Sequence, residues 1–117
     1  PLVIHGDGSQ QRIFCHISDA VAGTLALWES DLGFGEAFNL GGTEETSILN
    51  LAKRIIEITG SKSELAFLPY EELRKRGFED MQRRLPDTTK LRELTSWRPK
   101  MNLEDILVDY YQSISRK

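Results

Sequence analysis

Pro1-Leu2-Val3-Ile4-His5-Gly6-Asp7-Gly8-Ser9-Gln10-Gln11-Arg12-Ile13-Phe14-Cys15-His16-Ile17-Ser18-Asp19 is the stretch that decides the fold. Leu2 to His5 is short and rich in branched residues, and it runs into Gly6-Asp7-Gly8. That reads as a strand followed by a tight turn. Phe14 to Ile17 reads as a second extended piece. Ser18 is placed to cap a helix, with Asp19 in its first turn, where a negative charge suits the helix dipole. Val21, Ala22, Leu25 and Trp28 then fall at helical spacing.

Working outward, Leu32-Gly33-Phe34-Gly35 reads as a connection and Ala37-Phe38-Asn39-Leu40 as a short strand stopped by Gly41-Gly42. The clearest helix spans about Ile48 to Thr59. Ser47 is its N-cap, Glu44 and Glu45 lie near its positive end, and Gly60 is placed to stop it. Its apolar face is Ile48, Leu51, Ala52, Ile55 and Ile56. Glu64 to Leu68 reads as a strand, Glu71 to Lys75 as a short helical turn, and Gly77 to Arg84 as a polar loop. Asp87 is placed to cap a helix over about Thr88 to Thr95. Asn102 caps the last helix, with Asp105 completing a relative of the capping box and Leu103, Ile106, Leu107, Tyr110 and Ile114 as its buried stripe. Strand and helix segments alternate, so the expectation is an α/β fold, α+β for the piece taken alone, with about four helices.

The chain has 117 residues, 39% hydrophobic and 28% charged, which fits one globular region over residues 1–117. A net charge of −3 argues against a nucleic-acid partner, which would call for a basic excess. No apolar run approaches the roughly 20 residues that cross a bilayer. The single cysteine, Cys15, precludes an internal disulfide and suits a reducing compartment, so the expected location is the cytoplasm. A chain opening on Pro1 and an apolar run reads as cut from something longer.

Three places could carry chemistry. At Gly6-Asp7-Gly8-Ser9-Gln10-Gln11-Arg12, two glycines permit a sharp turn. Arg12 offers a rigid fork of donors for phosphate or carboxylate oxygens, and Ser9 and Gln10 add neutral hydrogen-bonding groups. At Gln82-Arg83-Arg84-Leu85-Pro86-Asp87, two cations precede a rigid proline and a helix cap. Composition alone describes both as solvated loops, but two cationic places far apart in sequence could converge on one diphosphate. The third, Gly33-x-Gly35, lacks the third glycine and the preceding strand of a dinucleotide fingerprint. His5 and His16 have no metal-ligand spacing, and Cys15 reads as a small buried hydrophobe.

The opening run to Phe14, with His16-Ile17-Ser18-Asp19, resembles a segment of the extended short-chain dehydrogenases, the NAD-dependent epimerase/dehydratase family. Phe38-Asn39-Leu40-Gly41-Gly42 with Ser47-Ile48-Leu49-Asn50-Leu51-Ala52 is similar to that family's next strand and helix. Arg84-Leu85-Pro86-Asp87-Thr88-Thr89-Lys90, Trp97-Arg98-Pro99 and Leu103-Glu104 resemble its C-terminal signature. The match is collinear over nearly the whole chain. The resemblance implies the C-terminal substrate-binding part of a nucleotide-sugar 4-epimerase, 4,6-dehydratase or decarboxylase, taking a UDP-, dTDP- or GDP-sugar. It implies that Arg12 meets the diphosphate, Arg84 meets the diphosphate or the nucleoside from the other side, Gln10 sits in the same nucleotide pocket, Gly6 and Gly8 shape the turn, and Asp19 and Asp87 start helices. NAD, the Gly-rich loop and the Tyr-x-x-x-Lys pair would belong to an N-terminal Rossmann domain outside this chain, leaving it without a cofactor or catalytic residue of its own. Tyr70, Tyr110 and Tyr111 are not followed by Lys four residues on. Without that domain, bared strand edges and helix faces should make the chain self-associate. The competing expectation is a stand-alone binding or assembly module.

Overall fold

A computed structural model describes residues 1–75, 77 and 80–116. In chain order the elements are β1 (Leu2–His5), β2 (Gln11–Ile13), α1 (Ile17–Trp28), a 3-10 turn (Asp31–Gly33), β3 (Glu45–Ser47), α2 (Ile48–Thr59), β4 (Leu65–Leu68), α3 (Tyr70–Arg74), β5 (Arg83–Arg84), α4 (Thr89–Thr95) and α5 (Leu103–Ser115). The mixed α/β expectation holds, with five α-helices among the described residues where about four were expected; the fifth is the short helical turn at α3.

Two small sheets form. β1 and β4 pair in parallel, Leu2 opposite Leu65 and His5 opposite Leu68. In the other, β2 lies between β3, antiparallel, and β5, parallel. The turn joining the sheets places Gly6 and Gly8 at φ +73° and +78°, a region open to glycine at little cost. α2 locks this turn. Its first backbone N–H groups have no partner within the helix, and those of Ile48 and Leu49 donate to Gln10 O and Gly8 O. Ser47 Oγ accepts from Asn50 N, and Gly60 ends the helix in the left-handed conformation, both as the sequence indicates. At α5 the capping box between Asn102 and Asp105 is complete.

The buried apolar residues form two groups. Ile4, Ala52 and Leu103 lie where β1, α2 and α5 meet, and Leu91 of α4 and Trp97 just after it lie on the side of α4 that meets α1. Gly23 of α1 makes the second group possible: a Cβ there would come within 2.6 Å of Leu40 and 3.1 Å of Trp97.

Several local expectations are corrected. The second extended piece is Gln11–Ile13 rather than 14–17. His16, not Ser18, caps α1, its side chain accepting from Ser18 N. Ala37 to Leu40 forms no strand, because no neighbouring strand among the described residues runs beside it. A strand appears instead at Glu45–Ser47, next to β2. Within the expected loop 77–84, Arg83–Arg84 pairs as β5, while Phe78 and Glu79 lie outside the described residues. The C-terminal half of the α5 stripe is not buried: Tyr110 is 65% and Ile114 51% exposed, since α5 meets α2 through its first turns. Cys15 is half-buried rather than buried. α4 starts one residue late, with Asp87 Oδ1 accepting from Thr89 N.

Candidate nucleotide-sugar site

Arg12 and Arg84, 72 positions apart in sequence, are direct register partners on β2 and β5. Opposite residues of paired strands project to the same face, and both line one cavity of about 530 Å³. Strand alternation separates Arg84 from its neighbour. Arg83 points the other way and is held by both oxygens of Glu45 at 2.9 Å, which lowers the Glu45 carboxyl below its usual range. Arg84 makes no side-chain hydrogen bond or ion pair among the described residues, so its charge remains available to a ligand.

Arg12 is engaged differently. Its Nη1 donates to Gln11 O at 2.7 Å, and its Nη2 pairs with Asp80. The other Asp80 oxygen accepts from Tyr70 Oη at 3.4 Å. Burial first, then the Asp80 charge, raises the Tyr70 hydroxyl above its ordinary value. The Tyr70 ring lies so close to Gly6 that a Cβ there would come within 2.2 Å of it.

The cavity's other walls come largely from the segments that carry the family resemblance. Phe14 and Cys15 continue from β2, Asn39 to Gly41 form a second wall and Leu85-Pro86 a third. The second wall depends on close approach: a Cβ on Gly42 would sit 2.0 Å from Phe14 O, and one on Gly41 2.6 Å from Pro86. Burial first, and the nearby Asp19 charge second, raise the Cys15 thiol. Gln10 behaves differently from its expected place in the pocket. It is 3% exposed, its amide donates to His5 O at 2.9 Å, and its side-chain oxygen is buried without a partner among the described residues. Asp19 is likewise turned inward, accepting from Met101 N. Asp80 and Tyr70 escaped sequence reasoning, because nothing local links position 80 to position 12.

Gly33 and Gly35 lie in and just after the 3-10 turn following α1. No strand leads into that turn and no helix opens from it, so it does not fit a dinucleotide. Among the described residues no group of three metal-ligating side chains gathers, and no helix is long and apolar enough to cross a membrane.

The fold is that of the NAD-dependent epimerases and dehydratases, the extended short-chain dehydrogenases. A family model described as GDP-mannose 4,6 dehydratase matches residues 1–110, and the chain belongs to that family. It is 37% identical over 111 residues to UDP-N-acetyl-alpha-D-glucosaminuronate decarboxylase of Bacillus cytotoxicus, covering 95% of this chain and 34% of that one. It is 37% identical over 116 residues to UDP-glucuronic acid decarboxylase 1 of Danio rerio, covering 99% and 26%. Among solved structures, UDP-glucuronic acid 4-epimerase from Bacillus cereus in complex with UDP-glucuronic acid and NAD superposes with a TM-score of 0.81 at 31% identity, over 97% of this chain and 36% of that one. The chain thus spans about a third or less of the curated relatives it matches.

Proposed function

We propose that this chain is the nucleotide-sugar-binding part of an NAD-dependent nucleotide-sugar epimerase, dehydratase or decarboxylase, and that Arg12 and Arg84 together hold the substrate's diphosphate. The observation that carries this reading is the register pairing of the two arginines over one cavity, with Arg84 unpaired among the described residues. Two guanidinium forks side by side match the adjacent oxygens of a diphosphate. The relatives' names favour a UDP-sugar over a dTDP- or GDP-sugar.

The reaction's own machinery lies, in this reading, in an N-terminal Rossmann domain beyond this chain. That domain would hold NAD, whose nicotinamide takes up and returns the hydride of the sugar. The part of the relatives that this chain does not span leaves room for it. The chain's contribution is orientation: anchoring the diphosphate fixes where the sugar's reacting carbon lies, and such remote binding energy lowers the barrier. Gln10 supports the site by holding the turn that leads into β2. The same domain would cover α1, whose Ile17, Val21, Leu25 and Trp28 are 50–86% exposed. Alone, the chain self-associates through this face and is inactive. A cytoplasmic setting belongs to the same reading.

Calorimetric titration of the chain with UDP tests it. Binding that weakens about tenfold in Arg84→Ala, the loss of one charge-assisted contact, and less in Arg12→Ala, because Asp80 already offsets the Arg12 charge, is expected. Equal UDP affinity in wild type and both variants would remove the diphosphate assignment.

A further inference from the structure

The two arginines of the cavity are unequal. Each terminal nitrogen of Arg12 already donates one hydrogen bond, to Gln11 O and to Asp80, and the Asp80 carboxylate offsets the guanidinium charge. Asp80 is delivered to this place by anchors two residues further on. Gln11 N donates to Gln82 O at 2.8 Å, and Gln82 Nε2 donates to Ser9 Oγ at 3.0 Å. Tyr70 holds the second carboxylate oxygen. The Asp80 carboxylate therefore presents to Arg12 the same chemistry as a phosphate: a compact anion accepting a charge-assisted hydrogen bond.

We infer that Asp80 is an internal competitor for Arg12, with which an incoming diphosphate must contend for the guanidinium charge, so that this residue tunes the affinity of the site. The inference rests on the diphosphate reading above. The consequence follows from the charges. On Arg12 a ligand phosphate only exchanges one anion for another. The net gain comes from Arg84, which has no anion to give up among the described residues. Asp80 thereby lowers affinity for the nucleotide while leaving the direction of recognition unchanged. Displacing a partly exposed ion pair is a modest cost, so the effect is modest too.

The test is a double-mutant cycle read by calorimetry with UDP as the probe, using wild type, Asp80→Asn, Arg12→Ala and the double variant. Asp80→Asn should bind UDP about threefold tighter than wild type, the scale of one partly exposed ion pair. In the Arg12→Ala background the same change should have no effect, because the competition acts through Arg12. Tightening of equal size in both backgrounds would make Asp80 a general source of repulsion and overturn the inference. Unchanged or weaker binding in Asp80→Asn would overturn it as well, the weaker case making Asp80 a residue that supports the ligand. These failures are distinct from failure of the diphosphate reading, which shows as an Arg84→Ala affinity equal to wild type. No UDP binding by wild type or Asp80→Asn would overturn both.

Discussion

The sheet that carries the arginines and the helix that follows it were finished to different degrees. On β2, β3 and β5 the charges are paired or aimed: Arg83 sits on Glu45, Arg12 on Asp80, and Arg84 faces the cavity. On α1, one face is packed through Gly23 against Leu40 and Trp97, while Ile17, Val21, Leu25 and Trp28 face outward. The segment 37–40 beside it has no strand partner among the described residues. A polar site can be completed by contacts within a short chain, because each hydrogen bond needs one partner. An apolar face needs area, and the area must come from another surface.

The largest effect expected from breaking this contrast comes from Leu91, 0% exposed on α4, which packs against α1. Leu91→Ala should cost about 2–4 kcal/mol by the combined loss of burial and the cavity left behind, read by urea denaturation. A smaller loss would mean that α1 is held by something other than this core. Next comes the neighbouring pair on β5. Arg84→Ala should weaken UDP about tenfold with little change in melting temperature, the loss of one charge-assisted contact, whereas Arg83→Ala should leave UDP affinity unchanged. Equal effects would mean that strand alternation does not divide their roles.

On the α1 side, Leu25→Glu combined with Trp28→Gln should lower the sedimentation-average mass toward that of one chain without lowering the melting temperature. A wild-type mass already equal to one chain would contradict the proposed self-association, and a mass unchanged by the substitutions would contradict the α1 face as its seat. The smallest effect concerns the Glu45–Arg83 pair. Because Arg83 lowers the folded-state Glu45 carboxyl below its ordinary 4.5, its contribution is present above that value and lost as pH falls through the lowered one. Thermal midpoints of wild type and Glu45→Gln should therefore converge at acid pH. A constant gap would contradict the assigned cause.

Much of the architecture could be read from local patterns. Ser47, Gly60 and the Asn102/Asp105 box marked helix ends because capping is a short-range hydrogen-bond rule. Gly6 and Gly8 marked the turn because only a few residues adopt positive φ readily. Arg12 and Arg84 were identifiable as cations and through the family resemblance, and the structure sets them side by side. Hidden from sequence were features made by long-range pairing: β5 inside a polar loop, Asp80 on Arg12, and the inward turn of Gln10. The strand expected at 37–40 failed for the same reason, since a strand exists only with a partner. Likewise, the α5 stripe carried the right period, yet its last turns extend past α2 and stay exposed.

The most direct test of the central claim is a crystal structure of the chain with UDP. Diphosphate oxygens within about 3 Å of both the Arg12 and Arg84 guanidinium groups, the distance of charge-assisted hydrogen bonds, is the predicted result. UDP bound on another surface, or touching only one of the two arginines, would contradict it.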